Sequence, residues 1–136
     1  MRKDELENYY TIMINGEDVP IACTLIVMRE IIKKFGTIEE FLGKIYRPKG
    51  VDEKTGILTM ELPDIDAIYT ILPMMINEGV YLVNESRRNK IDAYDADFIY
   101  RHYETRLHDI GLQMFNEITR SIKSPKRTPL TATSQK

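Results

Sequence analysis

The sequence contains little of what extracellular, membrane-spanning or disulfide-stabilised proteins need. It has one cysteine, Cys23, and no tryptophan. A single cysteine cannot form an internal disulfide and suits a reducing compartment. Pro73, Asn77 and Glu78 interrupt the longest apolar stretch, so no segment supplies the roughly 20 apolar residues of a membrane-spanning helix. The N-terminus turns acidic at once and lacks the apolar run of a secretory signal. These absences predict a small cytoplasmic protein.

Charge of one sign is not in excess either. The chain has 19 Lys and Arg against 21 Asp and Glu, a formal charge of −2, which argues against a general nucleic-acid binder. All acidic residues lie within residues 1–122, whereas residues 123–136 hold four basic residues, two prolines and one large apolar residue. We therefore predict a single helical domain over 1–122 and a disordered basic C-terminal tail over 123–136, which is either a frayed terminus or a tether.

The motifs that carry enzymatic chemistry are missing as well. The seven glycines are scattered, so there is no phosphate-binding loop, and His102 and His108 are too far apart on a predicted helix to share a face for zinc. Cys23 precedes a predicted helix, which can activate a thiol, but no histidine is close in sequence, and a buried apolar role is the stronger interpretation. We expect no catalytic residue, no cofactor and no metal site, and hence a non-enzymatic protein.

The most legible pattern is a β-hairpin over residues 9–23. Asn15-Gly16 supplies the positive φ angles of a tight turn between two runs of residues with high β propensity. Because Pro20 has no N–H to donate to a neighbouring strand, the second strand is predicted to lie at an edge. A lone hairpin is not stable, so it should pack on one side of the helices. Its exposed edge is predicted to recruit a second copy of the chain, with Met13 and Val19 at the contact.

Helix signals follow the hairpin. Thr24 begins a helix that ends at Gly36, and Thr37 with Glu40 forms the capping box of a second helix. Asp64 caps a third helix.

Three further features complete the predicted fold. Pro73 should kink or split the third helix, and residues 57–62 form either a strand paired with the hairpin or part of an extended linker. A fourth helix runs from about 96 to 122. The prediction is a mainly α fold of the α+β class, a bundle of about four helices with the hairpin on one side.

The fourth helix carries an apolar stripe at steps of three and four residues. Its C-terminal half is predicted to project past so small a domain and to present a partner-binding surface, because exposed apolar stripes are usually covered. The members of this surface are Met114, Phe115, Ile118 and Ile122. Seven methionines in the chain suit an adaptable binding surface, or else simply fill gaps in the core.

Three segments together resemble a known family. Residues 14–20 (Ile-Asn-Gly-Glu-Asp-Val-Pro), Thr24-Leu25 and residues 33–41 (Lys-Lys-Phe-Gly-Thr-Ile-Glu-Glu-Phe) resemble the N-terminal part of tail assembly chaperones of long-tailed, siphovirus-type bacteriophages and prophages. Residues 68–79 are similar to the central apolar helix of those proteins. The resemblance covers about residues 9–83 as a pattern, and the segment 46–63 is longer than in that family.

The resemblance implies a chaperone that binds the phage tape measure protein in the host cytoplasm, promotes tail tube assembly, forms a homo-oligomer and is absent from the mature virion. In many such proteins a frameshifted extension recruits the tail tube protein, and here it would attach at the basic tail. The main alternative is a structural head–tail connector or tail completion protein. A third is a small nucleic-acid-binding regulator that uses the tail with Arg87, Arg88 and Lys90.

Overall fold

Two antiparallel hairpins and five α-helices make up residues 3–130, the part of the chain that the computed structural model describes. This mainly helical α+β arrangement confirms the predicted fold class. None of these helices is both long enough and apolar enough to cross a membrane. After a 3₁₀ turn at Lys3–Leu6, the elements in chain order are β1 (Thr11–Ile14), β2 (Glu17–Pro20), α1 (Leu25–Phe35), α2 (Ile38–Ile45), β3 (Pro48–Val51), β4 (Leu58–Met60), α3 (Ile65–Asn84), α4 (Ala96–His102) and α5 (Leu107–Lys123).

The N-terminal hairpin forms as its turn residues predict. Asn15 and Gly16 have φ angles of 49° and 82°, and they connect β1 to β2 in a register that pairs Ile12 with Val19. Both of these side chains are fully buried. The inward face of the hairpin is therefore part of the core.

The edges of this hairpin are covered, which corrects the prediction of an exposed edge. On the β1 side, Glu104 N–H donates to the Met13 carbonyl at 2.8 Å, and Met13 N–H donates to the Thr105 hydroxyl at 2.8 Å. On the β2 side, α3 packs so closely that a Cβ added at Gly79 would lie 2.3 Å from the Pro20 carbonyl oxygen. The strands therefore have their neighbours within the same chain.

The first helices begin and end at the predicted residues. Gly36 ends α1 with a φ of 96°, and the Thr37 hydroxyl accepts from Glu40 N–H at 3.0 Å to cap α2. Thr24 precedes α1 but does not cap it with its side chain, because its hydroxyl donates instead to the Glu78 carboxylate at 2.6 Å. That bond ties the start of α1 to α3.

The third helix, α3, is one continuous element of 20 residues, so Pro73 does not split it. Asp64 caps it as predicted, accepting from Ala67 N–H at 3.2 Å. Nine of its residues are buried, which makes it the centre of the core.

The predicted fourth helix is two helices, α4 and α5, separated by residues 103–106. At the break, Tyr103 and Arg106 are extended, and Tyr103 forms a bridge with Ile14 of β1. The apolar period runs across the break because each helix buries residues at that spacing, Ile99 in α4 and Ile110 in α5, so periodicity alone could not reveal the break. The break exists because these residues satisfy the free edge of β1.

Residues 57–62 do contain a strand, but it does not pair with the N-terminal hairpin. Strand β4 pairs with β3 in a separate hairpin, with Val51 opposite Leu58. No residue from 46 to 62 is buried, so this second hairpin projects from the core.

The first half of the predicted disordered tail is seated on the domain. Lys123 ends α5, and the Arg127 guanidinium lies 2.7 Å from the carboxylate of Glu117, which is fully buried. Arg127 also lies over the Tyr9 ring at 4.5 Å. The prediction of disorder is thus wrong for residues 123–130, because the ion pair between Arg127 and the buried Glu117 carboxylate holds this segment against the domain. Residues 131–136 lie outside the described part.

Candidate functional site

The structure places the six predicted partner-binding residues in different environments. Met114, Ile118 and Val19 are fully buried, so the predicted surface is wrong for these three. The cause is close packing of α5: a Cβ at Gly111 would lie 2.1 Å from the Ile45 carbonyl oxygen, so the stripe faces α2 rather than solvent.

The other three predicted residues reach the surface but do not meet. Phe115 is partly buried against Tyr46, with ring centroids 4.7 Å apart. Met13 lies on β1, and Ile122, which is 55 % exposed, lies at the end of α5. They form no joint binding surface.

An open apolar groove lies elsewhere, between α3 and the α4–α5 segment. Its volume is about 300 Å³. All of its lining residues are aliphatic or tyrosine: Ile65, Ile68, Tyr69, Leu72, Ile99, Tyr100, Tyr103, Leu107 and Ile110. Ile68, Leu72, Ile99 and Ile110 are buried and form the floor, while Ile65, Tyr69 and Tyr103 are substantially exposed at the rim. We define this feature as the α3–α4 groove.

Two tyrosines join the walls of the α3–α4 groove. The rings of Tyr69 and Tyr100 stack with centroids 3.9 Å apart, and the Tyr100 hydroxyl donates to the Tyr69 carbonyl at 2.7 Å. In an unbroken helix that carbonyl would accept from the N–H of residue 73, but Pro73 has none. The proline in α3 therefore leaves an acceptor that fixes α4 at this distance.

The far wall is held by the N-terminal hairpin. Asn15 N–H donates to the His102 carbonyl at 3.0 Å, and Tyr103 bridges to Ile14. These contacts anchor the end of α4 and the extended residue after it. Hydrogen bonds thus hold both walls, one from the Tyr100 side chain to α3 and one between the backbones of Asn15 and His102, so the groove is a preformed feature.

The phenol of Tyr100 remains protonated at neutral pH. Burial raises its pKa above the ordinary value of 10.0, and the neighbouring Tyr69 and the negative charge of Asp97 add to the rise. A protonated hydroxyl is required for its bond to the Tyr69 carbonyl. The cross-link between the walls therefore persists over the physiological pH range.

A second apolar surface lies at the start of α1 and the end of α5. Leu25 is 80 % exposed, and Ile26 and Ile122 are more than half exposed. Leu25 and Ile122 border an open depression of about 610 Å³ that Met28, Leu82 and Pro125 help to line. This surface contains one predicted residue, Ile122.

The groups considered for catalysis are not arranged for it. Burial, followed by the charge of Glu117, raises the pKa of the Cys23 thiol to about 12, the opposite of what a nucleophile needs. His102 and His108 lie on separate helices. Within residues 3–130, no cluster of His, Cys, Asp and Glu could hold a metal ion.

Three of the basic residues considered for nucleic-acid binding are engaged within the fold. Arg87 pairs with Glu5 at 2.5 Å, and Lys90 donates to the carbonyls of Asn84 and Arg87. Arg127 from the tail pairs with Glu117. The charges of Arg87 and Arg127 are therefore paired within the fold.

Comparison of the chain with protein-family models, curated proteins and solved structures finds no match. Sequence reasoning missed the α3–α4 groove because its residues come from two distant segments. The available signal was Tyr69, which lies four residues before a proline in a mainly apolar helix.

Proposed function

We propose that this protein is a non-enzymatic chaperone that holds an amphipathic helical segment of a client protein in the α3–α4 groove. The observation that carries the proposal is the groove itself, an open, preformed depression of about 300 Å³ lined only by aliphatic and tyrosine residues. Such grooves accept the apolar side chains that a helix presents at positions i, i+3, i+4 and i+7.

The groove lining suits a client of loosely defined sequence. Tyrosine rings provide a large contact area at low entropic cost, and Tyr69 and Tyr103 stand exposed at the rim. The aliphatic floor presents no polar group that would have to form a hydrogen bond with a particular client side chain. A long helix with a repeated apolar stripe would be held at many points by many copies.

The resemblance to tail assembly chaperones supplies the proposed client, the tape measure protein of a long-tailed phage. It also supplies the remaining parts of the proposal: action in the host cytoplasm, self-association along the client, and delivery to the tail tube protein through a frameshifted extension. A structural role as a head–tail connector or tail completion protein is the competing hypothesis.

Two matched variants test the role of the groove. Ile65 and Leu25 are each the first residue of a helix and each substantially exposed, so glutamate at either position suits the helix N-terminus. Ile65 borders the groove, whereas Leu25 lies on the second apolar surface. Ile65→Glu should therefore harm groove binding, and Leu25→Glu should not.

The readout is the soluble, co-purifying fraction of tape measure protein after co-expression. We expect wild type and Leu25→Glu to keep the client soluble and Ile65→Glu to lose most of it. Equal behaviour of the two variants, or no complex with wild type, would contradict the proposal. Stoichiometric presence of the protein in purified mature particles would favour the connector hypothesis instead.

A further inference from the structure

Acidic residues are frequent in the two chain segments that build the α3–α4 groove. The two segments that build it, residues 61–72 and 92–110, contain eight acidic and two basic residues, a net charge of −6. The whole chain has a formal charge of −2, so the remainder is +4. Helix α3 has no basic residue along its length. The segments that build the groove are therefore acidic within a nearly neutral molecule.

Local ion pairs neutralise only some of these acids. Asp64 pairs with Lys44 at 3.8 Å, Glu61 with Arg47 at 3.4 Å and Asp109 with Arg106 at 3.0 Å.

Two acids one helical turn from the groove-lining Tyr69 and Tyr100 lack such a partner. Asp66 and Asp97 are exposed and form no ion pair with any residue from 3 to 130. Asp66 lies three residues before Tyr69, and Asp97 lies three residues before Tyr100, so each is one helical turn from a stacked tyrosine. Arg101, the remaining base of these segments, offsets one charge and leaves the rim negative.

We propose that the groove selects amphipathic helices whose apolar anchors are flanked by lysine or arginine. This inference rests on the proposed function and adds the chemistry of the partner: apolar side chains enter between Tyr69 and Tyr103, and basic side chains reach Asp66 and Asp97 on the two rims. A negative rim also accelerates encounter with a basic helix and disfavours an acidic one.

Three labelled peptides provide the test. They share one helical apolar stripe and carry Lys, Gln or Glu at the flanking positions, and their affinities are measured by fluorescence anisotropy in 50 mM and 300 mM NaCl, about a twofold change in screening length. Each exposed pair is worth about 1.4- to 5-fold in affinity. We therefore expect the Lys peptide to bind about tenfold more tightly than the Glu peptide at low salt and to lose most of that advantage at high salt.

Charge removal on the protein completes the test. In the double variant Asp66→Asn, Asp97→Asn, the Lys peptide should bind several-fold more weakly and the Gln peptide unchanged. The matched control Glu39→Gln, Glu53→Gln removes two exposed acids away from the groove and should change neither. Circular dichroism verifies that each variant is folded.

The outcomes separate the two proposals. Equal binding of the Lys and Glu peptides, or no effect of the double variant, would overturn this inference while the groove still binds the neutral Gln peptide. Failure of all three peptides to bind wild type would overturn the proposed function together with the inference.

Discussion

The hydroxyl of Tyr100 donates to the backbone carbonyl of Tyr69 at 2.7 Å, in place of the N–H that Pro73 lacks. One residue thus removes a hydrogen bond inside α3, and another restores it from α4. This hydrogen bond joins the two walls of the α3–α4 groove. The carbonyl that Pro73 leaves without a partner in α3 therefore helps to position α4.

This exchange predicts a dependence between two substitutions. Tyr100→Phe should lower the free energy of unfolding by about 1 kcal/mol, because it leaves the Tyr69 carbonyl without its donor. In a Pro73→Ala background the helix supplies that donor itself, so the same Tyr100→Phe change should cost about half as much or less. Urea denaturation of the four proteins measures the coupling.

Tyr81→Phe is the matched control, because Tyr81 is an exposed tyrosine on the same helix as Pro73 and lies outside the groove. It should change stability by less than about 0.5 kcal/mol. Equal costs of Tyr100→Phe with and without Pro73 would show that the hydroxyl does not substitute for the missing N–H.

A second prediction concerns the buried carboxylate of Glu117. Its oxygens accept from Arg120, from Cys23 N–H and from Arg127, each at 2.7 to 2.9 Å at the closest approach. Removing the only partner of a buried charge costs about 3–5 kcal/mol, and here Arg120 remains. Arg127→Ala should therefore destabilise the protein by about 2 kcal/mol, and removal of residues 124–136 by at least as much.

Lys126→Ala provides the comparison, since the adjacent Lys126 is exposed. It should leave the thermal midpoint within about 2 °C of wild type, as expected for a surface substitution. If Arg127→Ala behaves like Lys126→Ala, the C-terminal segment does not stabilise the domain in solution.

A third prediction follows from the raised pKa of Cys23. The thiol is neutral in the folded protein up to a pKa of about 12, whereas in the unfolded chain it ionises near 9.0. Ionisation therefore favours the unfolded state: the stabilising effect is full below about pH 9 and is lost as the pH rises toward 12. Between pH 9 and 11, wild type should lose about 1.4 kcal/mol per pH unit more than Cys23→Ala.

Cys23→Ala cannot ionise, so subtracting its pH profile removes the contributions of tyrosines and lysines. Guanidinium denaturation at several pH values gives both curves. Parallel curves would mean that the thiol is accessible to water and titrates near its ordinary value.

The parts of the fold that the sequence predicted are those that local chemistry specifies. The Asn15-Gly16 turn, the end of α1 at Gly36 and the Thr37 cap each depend only on residues a few positions away in sequence. The same local structure therefore forms whatever the rest of the chain does. The break between α4 and α5 could not be read in the same way. It depends on β1, about 90 residues away in sequence, whose Met13 accepts from Glu104.

The candidate site was predictable to a smaller extent for the same reason. The apolar stripe of α5 was visible, but whether it faced solvent depended on Gly111, which lets the helix approach Ile45. Likewise, Arg127 in a basic, proline-containing stretch gives no sign of a buried Glu117. Interactions between distant segments decided which apolar and charged residues were free, and a single sequence contains no direct record of them.

The projecting β3–β4 hairpin divides the chain into two interdependent halves. Before the β3–β4 hairpin, the core residues come from β1, β2, α1 and α2; after it, they come from α3, α4 and α5. Each half buries its apolar side chains against the other half, so neither can bury them alone. Because the turn at residues 52–56 is exposed, a protease can cut there without touching the core. The two pieces would remain associated as a nicked but folded protein, so the backbone at this turn is dispensable once folding is complete.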